Sequence, residues 1–226
     1  MSVQQNLQEI KGKIPAGVTL IAVSKTQPPE KIREAYAGGH RVFGENRAQE
    51  LATKYEALPE DIQWHMIGHL QSNKIKYIAS FVHLIHSVDS EKLLLEINRQ
   101  GQRSGRIISC LLQVHIAEEE TKFGFSEDEV RGLLKSDFWN QLKNVSVKGL
   151  MGMATFTDDK VQIRREFKSL KSLFGLLKAG ELPPGVVMEE LSMGMSGDYQ
   201  IAIEEGSTMV RIGTSIFGER IKTHTT

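Results

Sequence analysis

Short apolar runs and amphipathic stretches alternate along the chain. Residues 18–25 open the series with a run rich in β-branched side chains and too short for a buried helix. Such a run suits a strand buried on both faces, as in a parallel sheet. Gln27, Pro28 and Pro29 follow; proline cannot continue a strand but fits the first turn of a helix, here running to Ala37 and stopped by Gly38 and Gly39. The unit then repeats. Further strands are expected at 41–46, 63–68, 84–88, 107–116, 145–154, 186–192 and 209–217. Between them the pattern predicts a helix ending about Leu58, one starting near Gln71, and one capped by Asp89 or Ser90 that carries Leu93, Leu94 and Ile97. Next come a helix capped by Ser126 with Val130, Leu133 and Leu134, a long one ending near Leu177, and a short one over 197–204. Leu7, Ile10 and Ile14 mark a short amphipathic helix ahead of the first strand.

Strict alternation of strand and helix calls for a parallel sheet with helical crossovers. Eight such units within 226 residues fit an α/β fold closed as a single (β/α)₈ TIM-type barrel with an extra N-terminal helix. An open doubly wound sheet has the same periodicity and is the alternative. The chain divides into an N-terminal helix and lead-in (1–17), the barrel (18–220) and a tail (221–226), with no second domain expected.

Lys+Arg and Asp+Glu both number 28, a balance that argues against a nucleic-acid binder. No apolar run is long enough to span a bilayer and the N-terminus is polar, so neither membrane nor signal segment is expected. The single cysteine, Cys110, lies in an apolar segment and reads as a buried structural thiol. A reduced, cytoplasmic protein is expected.

Candidate chemistry concentrates at strand ends. Lys25 closes the first apolar run, where parallel α/β folds build their sites. A partly desolvated lysine there is an amine nucleophile; a solvated one is inert, and this stretch alone leaves both open. Residues 191–199 hold two glycines and two serines ahead of a short helix, and Gly213-Thr214 follows the last strand. The loops after the last two strands of such barrels commonly bind phosphate. Arg211 shares a strand face with Gly213; it points into the barrel mouth if that face is interior, and otherwise pairs with a carboxylate. His65 and His69 lack the glutamate of a zinc-protease helix, so no metal site is expected. His83 and His86 read as satisfied structural histidines, Glu118 to Glu120 as a solvated acidic turn, and Trp64 and Trp139 as core. Neither a Walker loop nor a dinucleotide-binding glycine fingerprint is present.

Taken in order, Ala22-Val-Ser-Lys25, Phe43-Gly-Glu-Asn46, Trp64-His-Met-Ile-Gly68, Leu70-Gln-Ser-Asn73-Lys74, His86-Ser-Val-Asp89, Lys122-Phe-Gly-Phe125, Gly149-Leu-Met151, Leu191-Ser-Met-Gly-Met-Ser196 and Arg211-Ile-Gly-Thr214 form a series over about 6–220. That series resembles the pyridoxal phosphate homeostasis family, whose barrel is like the N-terminal domain of alanine racemase. His115 departs from it, standing where asparagine is expected. The resemblance implies pyridoxal phosphate held as a Schiff base on Lys25. Ser192, Met193, Ser196, Gly213 and Thr214 match the phosphate-holding stretches, Arg211 the residue near the pyridine nitrogen and Asn46 the asparagine beside the ring. It implies a monomeric holder of the cofactor in intracellular vitamin B6 and linked amino-acid homeostasis, without robust catalysis, passing cofactor to apo-enzymes. The chain has no residues left for the extra β domain that closes the racemase site, and none of Tyr36, Tyr55, Tyr77 and Tyr199 falls clearly at a strand's carboxyl end. A pyridoxal-phosphate-dependent amino-acid racemase is the alternative. An aldolase forming its Schiff base on a sugar phosphate is a more distant one.

Overall fold

The first apolar run forms β1 (Thr19–Val23), buried from Leu20 onward. With β2 (Val42–Glu45), β3 (Gln63–Met66), β4 (Leu84–Val88), β5 (Ile108–Gln113), β6 (Val145–Met151), β7 (Val186–Met195) and β8 (Met209–Ile212) it makes a parallel sheet paired in chain order. β8 pairs back onto β1, Thr19 opposite Met209 and Ile21 opposite Arg211, which closes the barrel. This is the expected (β/α)₈ architecture rather than the open sheet. The computed structural model describes residues 2–119 and 123–218. The expected tail at 221–226, the last two barrel positions, Glu120 and Lys122 lie outside them.

The helices are α1 (Val3–Gly12), α2 (Pro29–Ala37), α3 (Ala48–Ala57), α4 (Glu91–Ser104), α5 (Glu127–Lys135), α6 (Lys160–Ala179), α7 (Tyr199–Glu204) and α8 (Thr214–Phe217). Their starts follow capping chemistry: the hydroxyls of Ser90 and Ser126 and the carboxylate of Asp159 accept first-turn N–H groups of α4, α5 and α6. The extra helix α1 packs on α2 and α8, and Asn6 Nδ2 donates to the Ile216 carbonyl (3.0 Å). None of the described helices is long and apolar enough to cross a membrane.

β5 ends at Gln113 rather than 116, β6 at Met151 rather than 154, and β7 runs to Met195 rather than 192, while two expected elements differ more. The helix expected from Gln71 is a 3-10 segment, Ser72–Tyr77; only Ile75 in it is buried, so no apolar face supports a longer helix. The eighth strand ends at Ile212 rather than 217. Gly213 turns the chain into α8, where Ile216 and Phe217 bury against the helical layer instead of extending the sheet. A short apolar run alone does not distinguish these outcomes.

Two apolar layers result. The larger lies between sheet and helices and includes Phe43, Trp64, Leu112 and Trp139. The smaller fills the barrel axis with Ile21, Leu84, Leu111, Met151 and Met209. Two residues further toward the carboxyl end of β4, β5 and β8, the same interior faces present His86, Gln113 and Arg211, since side chains alternate with period two. The barrel thus changes from apolar floor to polar mouth within one step along each of these strands.

Candidate functional site

The carboxyl ends of the strands surround a cavity of about 670 Å³, within the size range of small-molecule sites. Lys25, Asn46, Ser196, Arg211, Gly213 and Thr214 all line it. Ser192 and Met193 do not: Ser192 lies buried behind Arg211, and Met193 is packed into the core between sheet and helices. β7 causes this split. Its pairing with β8 shifts register between Ser192 and Met195, so simple alternation fails there.

Lys25 stands in the turn after β1, half-buried, with its side chain in the cavity wall. Thr26 beside it has a φ of 63°, uncommon for a β-branched residue. Asn46 follows β2 directly and packs against Gly68, where a Cβ would approach the Asn46 carbonyl to 2.7 Å. Glycine is therefore required at 68 for these two loops to meet at the cavity.

Arg211 is buried yet faces the cavity. It donates to Ser192 Oγ (2.5 Å) and to the Gly152 carbonyl (3.1 Å). Ser192 Oγ is also 2.9 Å from His86 Nδ1, and His86 Nε2 is 2.8 Å from His65 Nδ1. A guanidinium can only donate, so Ser192 Oγ accepts from Arg211 and meets His86 Nδ1 with either its proton or its second lone pair. The chain ends at His65 Nε2, which has no partner among the described residues. Burial holds the histidines neutral: His65 is pushed down to about 3 and His86 well below its ordinary value. Burial also lowers Arg211 to about 10, partly offset by the charge of Asp198, so it stays a cation at neutral pH.

The loops after β7 and β8 bring hydroxyl and N–H donors to the wall, and β8 is the strand paired to β1, which carries Lys25 at its end. Ser196 Oγ accepts from the Gly213 N–H (3.3 Å), tying the loop after β7 to the loop after β8, with Gly197 and Thr214 alongside. Asp198 Oδ1 accepts from the Met195 N–H (2.5 Å). Gly194 makes the bend possible: its φ is 96°, and a Cβ there would lie 2.6 Å from that of Ala202. Hydroxyls and backbone N–H groups grouped beside a cationic guanidinium suit an anion, and an amine in the same cavity suits a carbonyl.

The rim includes residues not singled out from the sequence. Gln113 Nε2 donates to the Phe123 carbonyl (2.7 Å), and Val114 bridges to Phe125, which fastens the loop after β5 over the cavity. Phe123 stacks on His69, whose Nδ1 lies 3.1 Å from Asp89. The loop 153–158 after β6 completes the wall. Phe123 and Asp89 belong to the motif series, and His69 was weighed only as a metal ligand; for Gln113 and loop 153–158 position at strand ends was the signal available. His115 stands outside the wall, its Nε2 against the Glu119 carbonyl (2.9 Å). The acidic turn is tied into the fold rather than merely solvated, Glu118 pairing with Arg165 and Glu119 accepting from the Phe156 N–H (2.7 Å). No tyrosine lines the cavity, and no group of three metal-ligating side chains occurs among the described residues. Cys110 is buried, its thiol pushed up to about 12.

The family model for the N-terminal domain of alanine racemase matches residues 1–221. A pyridoxal phosphate homeostasis protein of Aquifex aeolicus is 43% identical over 202 residues, covering 89% of this chain and 86% of that one. One from Vibrio alginolyticus is 39% identical over 234 residues, covering 97% and 98%. The structure of PipY of Synechococcus elongatus with pyridoxal phosphate bound superposes with a TM-score of 0.85 at 36% identity, covering 96% of this chain and all of that one. Alanine racemase from E. faecalis shares the fold at 17% identity, with a TM-score of 0.75 over 96% of this chain and 57% of its own. By sequence along nearly its whole length, the chain belongs to the pyridoxal phosphate homeostasis protein family.

Proposed function

We propose that the protein binds pyridoxal phosphate in the barrel mouth through a Schiff base to Lys25 and holds it for intracellular vitamin B6 homeostasis, passing it to apo-enzymes without robust catalysis. The observation that carries this reading is the meeting of an amine, a buried guanidinium and a cluster of hydroxyl and N–H donors in one cavity of about 670 Å³. Those residues fit the cofactor's aldehyde, pyridine ring and phosphate in kind and number. PipY, which is similar over its whole length, carries pyridoxal phosphate in its structure, and the relatives' names state the homeostasis role.

When bound, pyridoxal phosphate supplies an electrophilic aldehyde and an electron-accepting ring. In this reading Lys25 would supply the attaching amine, while Ser196 and Thr214 would donate to the phosphate and Gly213, its N–H given to Ser196, would join the two loops that hold it. Asn46 flanks the ring, Ser192 holds Arg211, and Met193 backs the loop from the core. Arg211 faces the ring nitrogen and, already protonated, cannot take a proton from it; a carboxylate at that place would keep the ring protonated. The residue choice weakens the electron sink, which suits storage better than turnover.

Visible absorption, borohydride reduction and peptide mapping by mass spectrometry test the proposal together. A yellow protein that bleaches and carries a pyridoxyl group on Lys25 is expected. A protein that gains no colour with added pyridoxal phosphate refutes it.

A further inference from the structure

The two neighbours of Lys25 in the chain are held by one buried charge cluster on the far side of the sheet. Lys54, on α3, is only 5% exposed and sends its ammonium to three oxygens: the Ser24 carbonyl (2.8 Å), Glu45 Oε1 (2.8 Å) and Glu50 Oε1 (2.7 Å). Three donors meet three acceptors, so the ammonium is saturated. Ser24 adds its own hydroxyl to Glu45 Oε1 (2.6 Å). Thr26 gives its N–H to Glu50 Oε1 (2.6 Å). Ser24 and Thr26 are thus gripped on either side of Lys25, while Glu45, Glu50 and Lys54 stand outside the cavity lining.

Two physical arguments separate this cluster from ordinary packing. Burying a lysine among carboxylates is a poor source of stability, since desolvation offsets the Coulombic gain. The cluster also sits where the backbone is strained: Thr26 holds a left-handed conformation, which persists only where the surroundings over-determine it. Ser24 on one side and the Thr26 N–H on the other supply that over-determination.

We propose that Lys54, with Glu45 and Glu50, is a positioning clamp that forces the turn at Ser24–Thr26 and thereby aims the Lys25 amine into the cavity. The proposal rests on Lys25 being the attachment point for pyridoxal phosphate. None of the three clamp residues lines the cavity, so the clamp reaches Lys25 through Ser24 and Thr26 on either side of it.

The test measures Lys25 twice. In cofactor-free protein, trace acetylation with acetic anhydride across pH, read by mass spectrometry, reports the reactivity of the amine. In cofactor-loaded protein, the rate of pyridoxal phosphate loss to a trap reports retention. Lys54→Met is expected to shift the acetylation profile of Lys25 and to speed loss roughly tenfold, about 1.4 kcal/mol of lost positioning. Adding Thr26→Gly, which removes the penalty for a positive φ, is expected to restore part of both. Glu50→Ala, at a part-exposed position, releases the Thr26 N–H and one of the three Lys54 contacts, and gives the same direction of change if Lys54→Met does not fold. Folded variants with wild-type acetylation and retention overturn the clamp. Wild-type protein that takes no pyridoxyl label on Lys25 overturns the attachment reading instead, and the acetylation profile still decides the clamp.

Discussion

Arg211 and Ser192, on neighbouring strands β8 and β7, meet inside the barrel with the guanidinium donating to the hydroxyl. Ser192 serves two partners at once, because its oxygen also lies 2.9 Å from His86 Nδ1. Ser192→Ala is expected to leave a buried guanidinium short of an acceptor and His86 Nδ1 unpaired, at a cost of about 1–3 kcal/mol. For a chain of this size that lowers the melting temperature by roughly 2–4 °C per kcal/mol, read by thermal circular dichroism. An unchanged melting curve rules out this use of the hydroxyl.

Retention of the cofactor should depend more on the phosphate side than on Lys25. Charge-assisted hydrogen bonds contribute about 1.5–3 kcal/mol each, and several donors act on a dianion where the imine is one reversible bond. Ser196→Ala combined with Thr214→Val should therefore weaken equilibrium binding of pyridoxal phosphate more than Lys25→Ala does. Absorbance titration of the three proteins decides it; equal affinity for the double variant and wild type is the contrary result.

The residues around the cavity also predict little chemistry on amino acids. Loaded protein incubated with a broad amino-acid panel in deuterated water should exchange Cα protons no faster than free cofactor, as followed by proton NMR. Exchange above that level, abolished by Lys25→Ala, would establish the racemase alternative. His69, held by Asp89 at the rim, would then be the second group to replace, as His69→Gln.

Acid sensitivity follows from buried titratable groups that pull in opposite directions. Burial pushes Glu45 up to about 7, so this carboxyl binds its proton more tightly folded than unfolded. Its contribution is complete below the unfolded value of 4.5 and is lost as pH rises through 7. Burial lowers His40 to about 4 and His65 to about 3, and His86 falls well below its ordinary value. Those contributions are complete above 6.5 and are lost as pH falls toward the folded values. Between 4.5 and 6.5 the histidines outnumber Glu45, and stability should drop on acidification. Glu45→Gln removes the opposing group, so its stability should fall more steeply there, by up to about 1.4 kcal/mol per pH unit. Urea unfolding of both proteins from pH 4.5 to 7.5 measures the difference; parallel curves contradict it.

The order of elements could be read from the chain because strands buried on both faces leave continuous β-branched runs. Lys25, Ser196, Gly213 and Thr214 were visible for a related reason: each lies where a run stops, and runs stop at the cavity. Which residues of 191–196 face it was not legible, because the register shift between Ser192 and Met195 breaks the alternation that such a reading needs. Gln113 and Phe123 carry no motif chemistry of their own, and their contact spans a loop. Lys54 looks like any lysine on an amphipathic helix. Only the packing of α3 against the turn after β1 reveals it as buried.

Adjacent residues at the end of β2 face opposite worlds. Asn46 belongs to the ligand side and Glu45 to the clamp side, separated by the thickness of one polypeptide backbone. A one-residue insertion in β2 ahead of Glu45 would carry that carboxylate into the mouth and leave Lys54 without it. The length of this strand is therefore an invariant of the machine. Loops tolerate insertions better than the strands they connect, so the rim at 153–158 and around Phe123 is where length can vary without moving Glu45 or Asn46.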